Sequence, residues 1–461
     1  MLSGAMVLAS APVPARAQMA TSLGFHIVYA CFGIAFPVVV LVAEWIGIRR
    51  GDPAALLLAR RWSKVMALLI AVGAVSGTVL SYEMGVLWPG LMGRFGAAIG
   101  VPFAVEGVFF FVEAIFAGVY LYGWDRLSPW AHWWSGMPIA VSGPLGALSV
   151  VAANSWMNQP TGFVLKAGRV TSVDPFAVYF NNATPYETPH MVLAAYMVTG
   201  FLVAGVYAVG LWRGRNDRYH RLGFAVPFTI AGIASPIQLV VGDLIARVIE
   251  RQQPVKFAAM EYVPRTARGV TEWIGGIYVD GHVYAGLGIP YLDSILVAFD
   301  PGAKVIGWDS VPPALRPPLP SLIHLSFDAM VAIGTGLFAL AAWQGWEWWF
   351  HRRIVRTPWF LAACAVAGGA AALALEFGWI VTEVGRQPWI VYGYQLTNSS
   401  VTVASGVEVT FAVVIVVYGI LSIVSVAVPV IMSHRWRTEG PSAEEAEQVP
   451  YGPPAPRSAS P

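Results

Sequence analysis

Two glutamates interrupt an otherwise apolar run between residues 101 and 122. Glu106 and Glu113 are seven residues apart, close to two turns of an α-helix, so their carboxyl groups are predicted to share one face. A carboxylate that faces lipid is costly, and such residues usually face a bundle interior, a partner or water. The chemistry predicted here is proton transfer or ligand binding inside a membrane.

Other apolar segments carry further unusual residues, namely His26, His190, Met330, Glu376 and Glu383. These residue types are metal ligands and proton carriers. A histidine with a methionine makes a six-coordinate, low-spin, electron-transfer haem, whereas one histidine or one carboxylate leaves a position open for oxygen. The structural alternatives are a hydrogen-bonded core histidine and a space-filling methionine, of which this chain has 13.

Three short motifs add candidates of lower specificity. Trp379 stands between the two glutamates of one apolar run, and Arg386 follows in a Gly-Arg-Gln-Pro sequence that is typical of a helix end. Arg386 could reach a haem propionate or pair with Glu383. Lys256 and Glu261 offer one base and one acid, which suits the two ring oxygens of a quinol, although an exposed helix turn explains the same spacing.

The remaining histidines are less informative. His324 is a rival ligand near the mouth of its segment, and His282 falls in a polar connector. The other four are predicted to lie at the cytoplasmic surface: His132, His220, His351 and His434.

The composition is that of a membrane protein. Of the 461 residues, 57% are hydrophobic and only 12% are charged, against about 25% charged in soluble proteins. The mean hydropathy is +0.62. A net charge of +2 gives no indication of a nucleic-acid partner. Cys31 and Cys364 form no CxxC pair and are predicted to be small core residues.

About nine runs are long enough to span a bilayer at roughly 20 apolar residues each. The predicted fold class is therefore an all-α polytopic membrane protein. The runs lie near residues 19–47, 65–83, 101–123, 136–155, 190–212, 222–244, 321–343, 358–382 and 407–432.

Arginine and lysine set the predicted orientation. Every second connector is basic, beginning with the one between the first two runs, and by the positive-inside rule these connectors face the cytoplasm. The N-terminus is then outside and the C-terminus inside. The long polar stretch 245–320 lies outside and is predicted to be functional. The unusual residues gather in the outer half of the bilayer.

The chain ends carry two further predictions. Residues 1–18 fit a signal peptide with a cleavage motif at Ala15-Arg16-Ala17, or a start assigned too early, with Met19 as the alternative. Residues 19–244 then hold the first six spans and 321–437 the last three. The segment 438–461 is rich in Pro, Ser and Glu and is predicted to be a disordered cytoplasmic tail.

The chain resembles subunit I of the cytochrome bd-type quinol:oxygen oxidoreductases from about Ala17 to Arg437. The motifs that carry the resemblance are Glu106-Gly107 through Glu113 with Gly123-Trp124-Asp125-Arg126, Ala153 through Pro160, Lys256 through Glu261, and Glu376-Phe377-Gly378-Trp379 with Glu383 through Trp389.

The resemblance implies a role for each candidate residue. His190 and Met330 match the axial ligands of a low-spin haem b. His26 and Glu383 match the ligands of two high-spin haems, a haem b and a haem d (or a further haem b), at the oxygen site.

Residues around the haems and the quinol are implied in the same way. They are Glu106 and Glu113 for proton delivery, Trp379, Arg386 and Glu376 for the haem environment, and Lys256 and Glu261 for quinol binding.

The family also implies an assembly and a location. Expected partners are subunit II, a small single-helix subunit, quinol, oxygen and membrane lipid, in the bacterial cytoplasmic (inner) membrane. The outer loop is short, as in the cyanide-insensitive branch. Asp328 stands where some members carry Arg, and an acid there should lower the potential of the low-spin haem.

Two other classes remain open from the residues alone. A proton or solute transporter would place charged residues along its path without haem and would show an inverted repeat, which is not evident in this sequence. A haem protein could also carry electrons without reducing oxygen.

Overall fold

The protein, described here by a computed structural model over residues 12–438, is a bundle of long helices. Within that range, nine helices are long and apolar enough to cross a membrane, which confirms the predicted class. These spanning helices are α1 (Pro12–Arg50), α2 (Pro53–Leu87), α3 (Pro89–Gly123), α4 (Pro129–Asn158), α6 (Thr184–Trp212), α7 (Arg218–Gln252), α10 (Pro320–His351), α11 (Pro358–Gly385) and α12 (Val407–Thr438).

The connecting segments add short elements. Between α4 and α6 lie β1 (Phe163–Lys166), β2 (Arg169–Val173) and α5 (Pro175–Tyr179). Between α7 and α10 lie α8 (Pro254–Met260), β3 (Ala267–Arg268), β4 (Glu272–Ile274), β5 (Ile277–Val279), β6 (His282–Tyr284), β7 (Leu287–Ile289), α9 (Leu292–Ala298) and β8 (Lys304–Val305). Between α11 and α12 lie β9 (Trp389–Val391) and β10 (Gln395–Leu396).

The spanning helices are longer than the apolar runs that predict them. The sixth run, 222–244, becomes a helix that continues to Gln252, so the loop before α10 begins later than residue 245. Of the predicted leader, residues 12–18 belong to α1, and residues 1–11 lie outside the described part of the chain. The predicted tail lies outside it from residue 439 onward.

Local sequence explains where these helices begin. Proline occupies the first turn of most of them, where its missing N–H costs no hydrogen bond. Asp52 also caps α2, since its carboxylate accepts from the backbone N–H groups of Ala54 and Ala55. The second span is therefore fixed at residue 53 by two independent signals.

Two apolar cores meet at α1. One core joins α6, α7, α10 and α11 with residues 27–34 of α1, and it contains both cysteines, as predicted. The other core joins α1, α2, α3 and α4 around residues such as Phe36 and Trp62. α1 therefore lies between the two groups of helices and contacts residues from both.

Glycines let neighbouring spans approach closely. A Cβ atom built on Gly368 of α11 would lie 2.2 Å from the Cα atom of Leu202 in α6. A Cβ atom on Gly143 of α4 would lie 2.6 Å from the carbonyl oxygen of Gly33 in α1. Small residues at helix contacts are typical of membrane bundles, because association there depends on close packing.

The loop from residue 253 to 319, called the 253–319 loop below, is folded rather than extended. Its strands form three small antiparallel pairs, β3 with β8, β4 with β7 and β5 with β6. The short helix α8 packs on α7, α10 and α11. The loop is thus held directly on the ends of three spanning helices.

Candidate functional site

His26 of α1 is held by α2. Its Nδ1 atom lies 2.9 Å from the hydroxyl of Ser76, which also lies within 3.1 Å of two carbonyl oxygens of its own helix. Because the single hydroxyl hydrogen is directed to those carbonyls, Ser76 accepts from Nδ1–H. The other ring nitrogen then carries the lone pair, which is the state that a metal ligand needs.

His190 of α6 faces α7. Its Nδ1 atom is buried and has no hydrogen-bond partner within residues 12–438, and its Nε2 atom lies 3.4 Å from the amide nitrogen of Gln238. A Cβ atom on Gly242 would lie 3.5 Å from the ring. Neither nitrogen is strongly engaged by the protein, so the imidazole is available to a ligand.

Met330 of α10 contacts α11 beside Trp379. A Cβ atom on Gly378 would lie 3.0 Å from the Met330 sulfur, so a larger residue at this position would require the sulfur to shift. Trp379 is partly buried and packs on the core shared by α6 and α11. The predicted methionine ligand therefore contacts α11 at the residue that precedes the predicted haem-packing tryptophan.

Glu383 sits at the end of α11 between two donors. The amide nitrogen of Asn154 donates to Oε1 at 2.6 Å, and the Arg386 guanidinium pairs with Oε2. Arg386 is almost fully buried, yet its Nε and Nη1 atoms have no partner in the described chain. The predicted pairing with Glu383 is present, and two further donors remain for an anionic group.

The three remaining glutamates approach α1 or each other. A Cβ atom on Gly33 would lie 3.0 Å from an oxygen of Glu113, and one on Gly24 would lie 3.2 Å from an oxygen of Glu376. Glu106 is close enough to Glu113 for electrostatic interaction. The buried Oε1 atom of Glu113 has no hydrogen-bond partner among the described residues.

α1 is consequently the helix that contacts several of the candidate residues. Gly24, His26 and Gly33 span nine residues, or about 14 Å of helix at 1.5 Å per residue. Glu376 of α11 and Glu113 of α3 therefore contact α1 on either side of His26 along its length.

Lys256 and Glu261 face different surroundings although both are buried. Lys256 lines a crevice of about 170 Å³ between α8 and the end of α11, together with Arg386, Trp389 and Tyr392. Burial is the main cause that lowers the Lys256 pKa to about 8, and nearby Glu187 opposes the shift. Glu261 instead faces other acids of the 253–319 loop.

Sequence reasoning missed several residues near these candidates. Ser76, Glu187, Glu272 and Asp293 were given no role, because each becomes relevant only through contacts between distant segments. Asn154 is named only within the motif Ala153 through Pro160, which contributes to the resemblance. The only indication in the sequence was a polar residue within an apolar run. Ser76 is such a residue, but a single serine is a weak indication of function.

The prediction that His132 is a surface residue is wrong. The side chain is fully buried, with Nδ1 2.7 Å from Glu44 and Nε2 2.9 Å from the carbonyl oxygen of Tyr120. These partners come from α1 and α3 and satisfy both ring nitrogens. The other three histidines that were predicted to be surface residues are partly or fully exposed.

The residues present fit a haem-binding bundle. His26 offers a lone pair, His190 has an unpartnered nitrogen, and Arg386 has two buried donors that suit a propionate. Glycines stand beside the rings of His26 and His190 and beside the Met330 sulfur. No group of three or more His, Cys, Asp or Glu side chains in the described range could hold a bare metal ion.

The bundle defines a polytopic membrane protein, and its buried histidine, methionine and carboxyl side chains are suited to bind haem. Residues 14–436 match the family model for cytochrome bd terminal oxidase subunit I, and the chain belongs to this family. It is a multi-pass protein of the bacterial inner membrane and the subunit I of a quinol:oxygen oxidoreductase, and the family implies haem cofactors.

Individual relatives agree with this assignment. A Bacillus subtilis protein provisionally named cytochrome bd menaquinol oxidase subunit I is 34% identical over 89% of this chain and 93% of its own. The Bacillus subtilis cytochrome bd ubiquinol oxidase subunit 1 is 27% identical over 95% and 96%. The solved bd oxidase of Geobacillus thermodenitrificans superposes with a TM-score of 0.85 and 35% identity, covering 92% of this chain and 98% of that one.

Proposed function

We propose that this chain oxidises quinol at the outer membrane face and reduces oxygen to water with protons from the cytoplasm. The observation that carries the proposal is a repeated contact: a glycine on the adjacent helix stands against each of His26, His190 and Met330. A glycine lets the neighbouring helix hold the ligand side chain in one orientation. Three such contacts at three ligand-type residues favour bound haem over a transporter path.

His190 and Met330 would hold a low-spin haem b. His26 and Glu383 would hold the two high-spin haems, a haem b and a haem d or further haem b. When bound, haem supplies the one-electron and oxygen chemistry that side chains lack. Ser76 fixes the tautomer of His26, and Asn154 orients Glu383.

Buried positive charge stabilises the anionic groups of this region. Arg386 pairs with Glu383 and keeps two unpaired donors for a propionate. Trp379 and Glu376 border the same part of α11, where Trp379 packs on the core and Glu376 approaches α1. Arg386, Trp379 and Glu376 would orient the haems and exclude water from the site.

Protons for water formation would reach the site through Glu113 and Glu106. Glu113 lies about 10 Å further along α3 than Glu106 at 1.5 Å per residue, on the side that the basic connectors assign to the cytoplasm. Its buried, unpartnered oxygen beside Gly33 can accept a proton. Glu106, its electrostatic neighbour, can receive it next.

The 253–319 loop would bind quinol through Lys256 and Glu261. A lysine whose pKa is lowered to about 8 can donate a hydrogen bond to a quinol oxygen at little electrostatic cost. The numbered subunit names of the relatives imply a subunit II, and we expect a small single-helix subunit as well. Exposed apolar faces of α2, α3, α10 and α12 are suited to these partners or to lipid.

The test is oxygen consumption by the purified complex with a short-chain ubiquinol or menaquinol. Quinol-dependent consumption, with visible bands that shift under carbon monoxide, is the expected result. A complex with low-spin bands only would be an electron carrier, and a colourless complex would refute the proposal.

A further inference from the structure

Three carboxyl side chains of the 253–319 loop are almost fully buried, and none of them forms a salt bridge with a described residue. Glu261 is 4%, Glu272 9% and Asp293 1% exposed. One oxygen of each has no hydrogen-bond partner among the described residues. Their strongest electrostatic neighbours are other acids. Buried acids normally have a positive partner, so this group requires an explanation.

The fold brings the three together from separate segments. Glu261 follows the last residue of α8, and Glu272 begins β4 opposite Ile289 of β7. Asp293 lies in the first turn of α9, four residues after Ile289. Pairing of β4 with β7 therefore sets Glu272 beside the start of α9.

The three carboxyls interact with one another, and Asp293 also interacts with a fourth acid that is nearer the surface. Glu261 and Glu272 are within hydrogen-bonding reach of each other, and Glu272 interacts with Asp293. Asp293 in turn interacts with Glu250, in the last turn of α7. Glu250 is partly exposed and precedes the exposed Arg251.

Burial, reinforced by neighbouring acids, favours the protonated forms of these carboxyls. It raises the pKa of Glu272 to about 7 and of Asp293 to about 8, and it raises the pKa of Glu261 well above its usual range. At neutral pH Glu272 and Asp293 are therefore close to their pKa values, so each can both hold and release a proton. Two carboxyls in contact can share a hydrogen bond only when at least one is protonated.

The other elements packed on the group contribute Asp328 and His324 from α10 and Glu250 and Arg247 from α7. Asp328 accepts from the backbone N–H of Gly275 at 2.5 Å. Arg247 is paired with an acid of its own helix and reaches the carbonyl oxygen of the last valine of α9 at 3.4 Å. The Arg247 guanidinium thus already has two partners.

His324 gives a second, independent indication of proton transfer. The ring is fully buried and stacks on Tyr262 with centroids 3.9 Å apart. Its Nδ1 atom lies 2.5 Å from the carbonyl oxygen of Met260, which can only accept, so Nδ1 carries a hydrogen. Its Nε2 atom has no hydrogen-bond partner in the described chain and lies 3.3 Å from an oxygen of Asp328. A buried imidazole nitrogen therefore faces Asp328, which is an electrostatic neighbour of Glu261 and Glu272.

We propose that Glu272 and Asp293 conduct the protons released by quinol oxidation from Glu261 to the outer surface near Glu250. The inference rests on the proposed quinol role of Glu261. Each quinol that becomes a quinone loses two electrons, which oxygen finally accepts, and two protons. Each proton enters one oxygen of a carboxyl as that carboxyl passes its own proton to the next, and the last one is released to water.

The test uses Glu272→Gln and Asp293→Asn in the purified complex with its partner subunits. Each amide matches the volume of the neutral acid and still hydrogen-bonds, but it cannot pass a proton onward. Asp280→Asn is the matched control, because Asp280 is an exposed acid at the turn between β5 and β6 of the same loop.

Two rates separate proton release from the rest of the reaction. The quinol-driven kcat should fall by at least about tenfold in both amide variants, since relays of this kind contribute about 10²–10⁴-fold. The KM for quinol and the reoxidation by oxygen of dithionite-reduced enzyme, which bypasses quinol, should match the control. Added imidazole, a diffusible proton carrier, should restore part of the rate of Glu272→Gln.

Several results would overturn the inference. Wild-type quinol turnover in both amide variants would show that the carboxyls carry no protons. An equal loss of quinol turnover and of reoxidation, with loss of haem, would assign them a structural role. Failure of the wild-type complex to consume oxygen with either quinol would instead refute the proposed function.

Discussion

Replacing Ser76 with alanine should weaken haem binding at His26 without unfolding the bundle. The substitution removes one oxygen atom from a fully buried position and leaves the Nδ1–H group of His26 without its acceptor. An unsatisfied buried donor costs about 1–3 kcal/mol. Loss of a partner behind a metal-binding histidine lowers metal affinity by about 10–100-fold, or about 1.4–2.7 kcal/mol. The two estimates agree.

The assay is a haem titration of purified, haem-depleted complex, with the carbon monoxide difference spectrum as a second readout. Thr78→Ala is the control, because Thr78 lies two residues further on in α2, is exposed and bonds only to its own helix. Ser76→Ala should shift the titration midpoint at least about tenfold relative to this control. Identical titrations and spectra for the two variants would show that Ser76 does not support a haem ligand.

Three further predictions concern an ion pair, a helix contact and the buried acids of the 253–319 loop. Arg386→Gln removes one partner of a mostly buried ion pair and should lower the free energy of unfolding by about 3–5 kcal/mol. Thermal unfolding in detergent measures this change, and an unchanged unfolding midpoint would contradict the pairing. Gly378→Ala should displace Met330, because the new Cβ would lie 3.0 Å from the sulfur, and the low-spin band should shift or broaden; an unaltered band would argue against Met330 as a ligand. Glu272 and Asp293 have pKa values raised to about 7 and 8, so the folded loop favours their protonated forms. This preference adds stability that is fully present below the ordinary carboxyl pKa values of 3.8 and 4.5, falls as pH rises above them and is lost once pH passes 7 to 8. Hydrogen exchange of the loop should therefore accelerate between about pH 4 and 8 relative to exposed segments.

The membrane architecture could be predicted because it depends on local composition. Apolar runs of sufficient length identified all nine spans, and residues such as Glu113 and His190 stood out because hydrocarbon penalises them. Helix ends were less certain. α7 continues to Gln252 because a polar helix can extend beyond the apolar run that predicts it.

Contacts between distant segments could not be predicted in the same way. His132 was assigned to the surface because neither Glu44 nor Tyr120 is near it in the sequence, yet together they satisfy its ring. The group of buried acids formed by Glu261, Glu272 and Asp293 depends on the pairing of two three-residue strands. Such short strands leave no periodic pattern in the sequence, so the buried acids resembled ordinary loop residues.

The most direct test of the account compares reduced-minus-oxidised visible spectra of the wild-type complex with those of His190→Ala and Met330→Ala. We expect both variants to lose the low-spin band while they retain bands that shift with carbon monoxide, because His26 and Glu383 are unchanged. Retention of the wild-type low-spin band in either variant would contradict the proposed ligands and, with them, the path of electrons from quinol to oxygen.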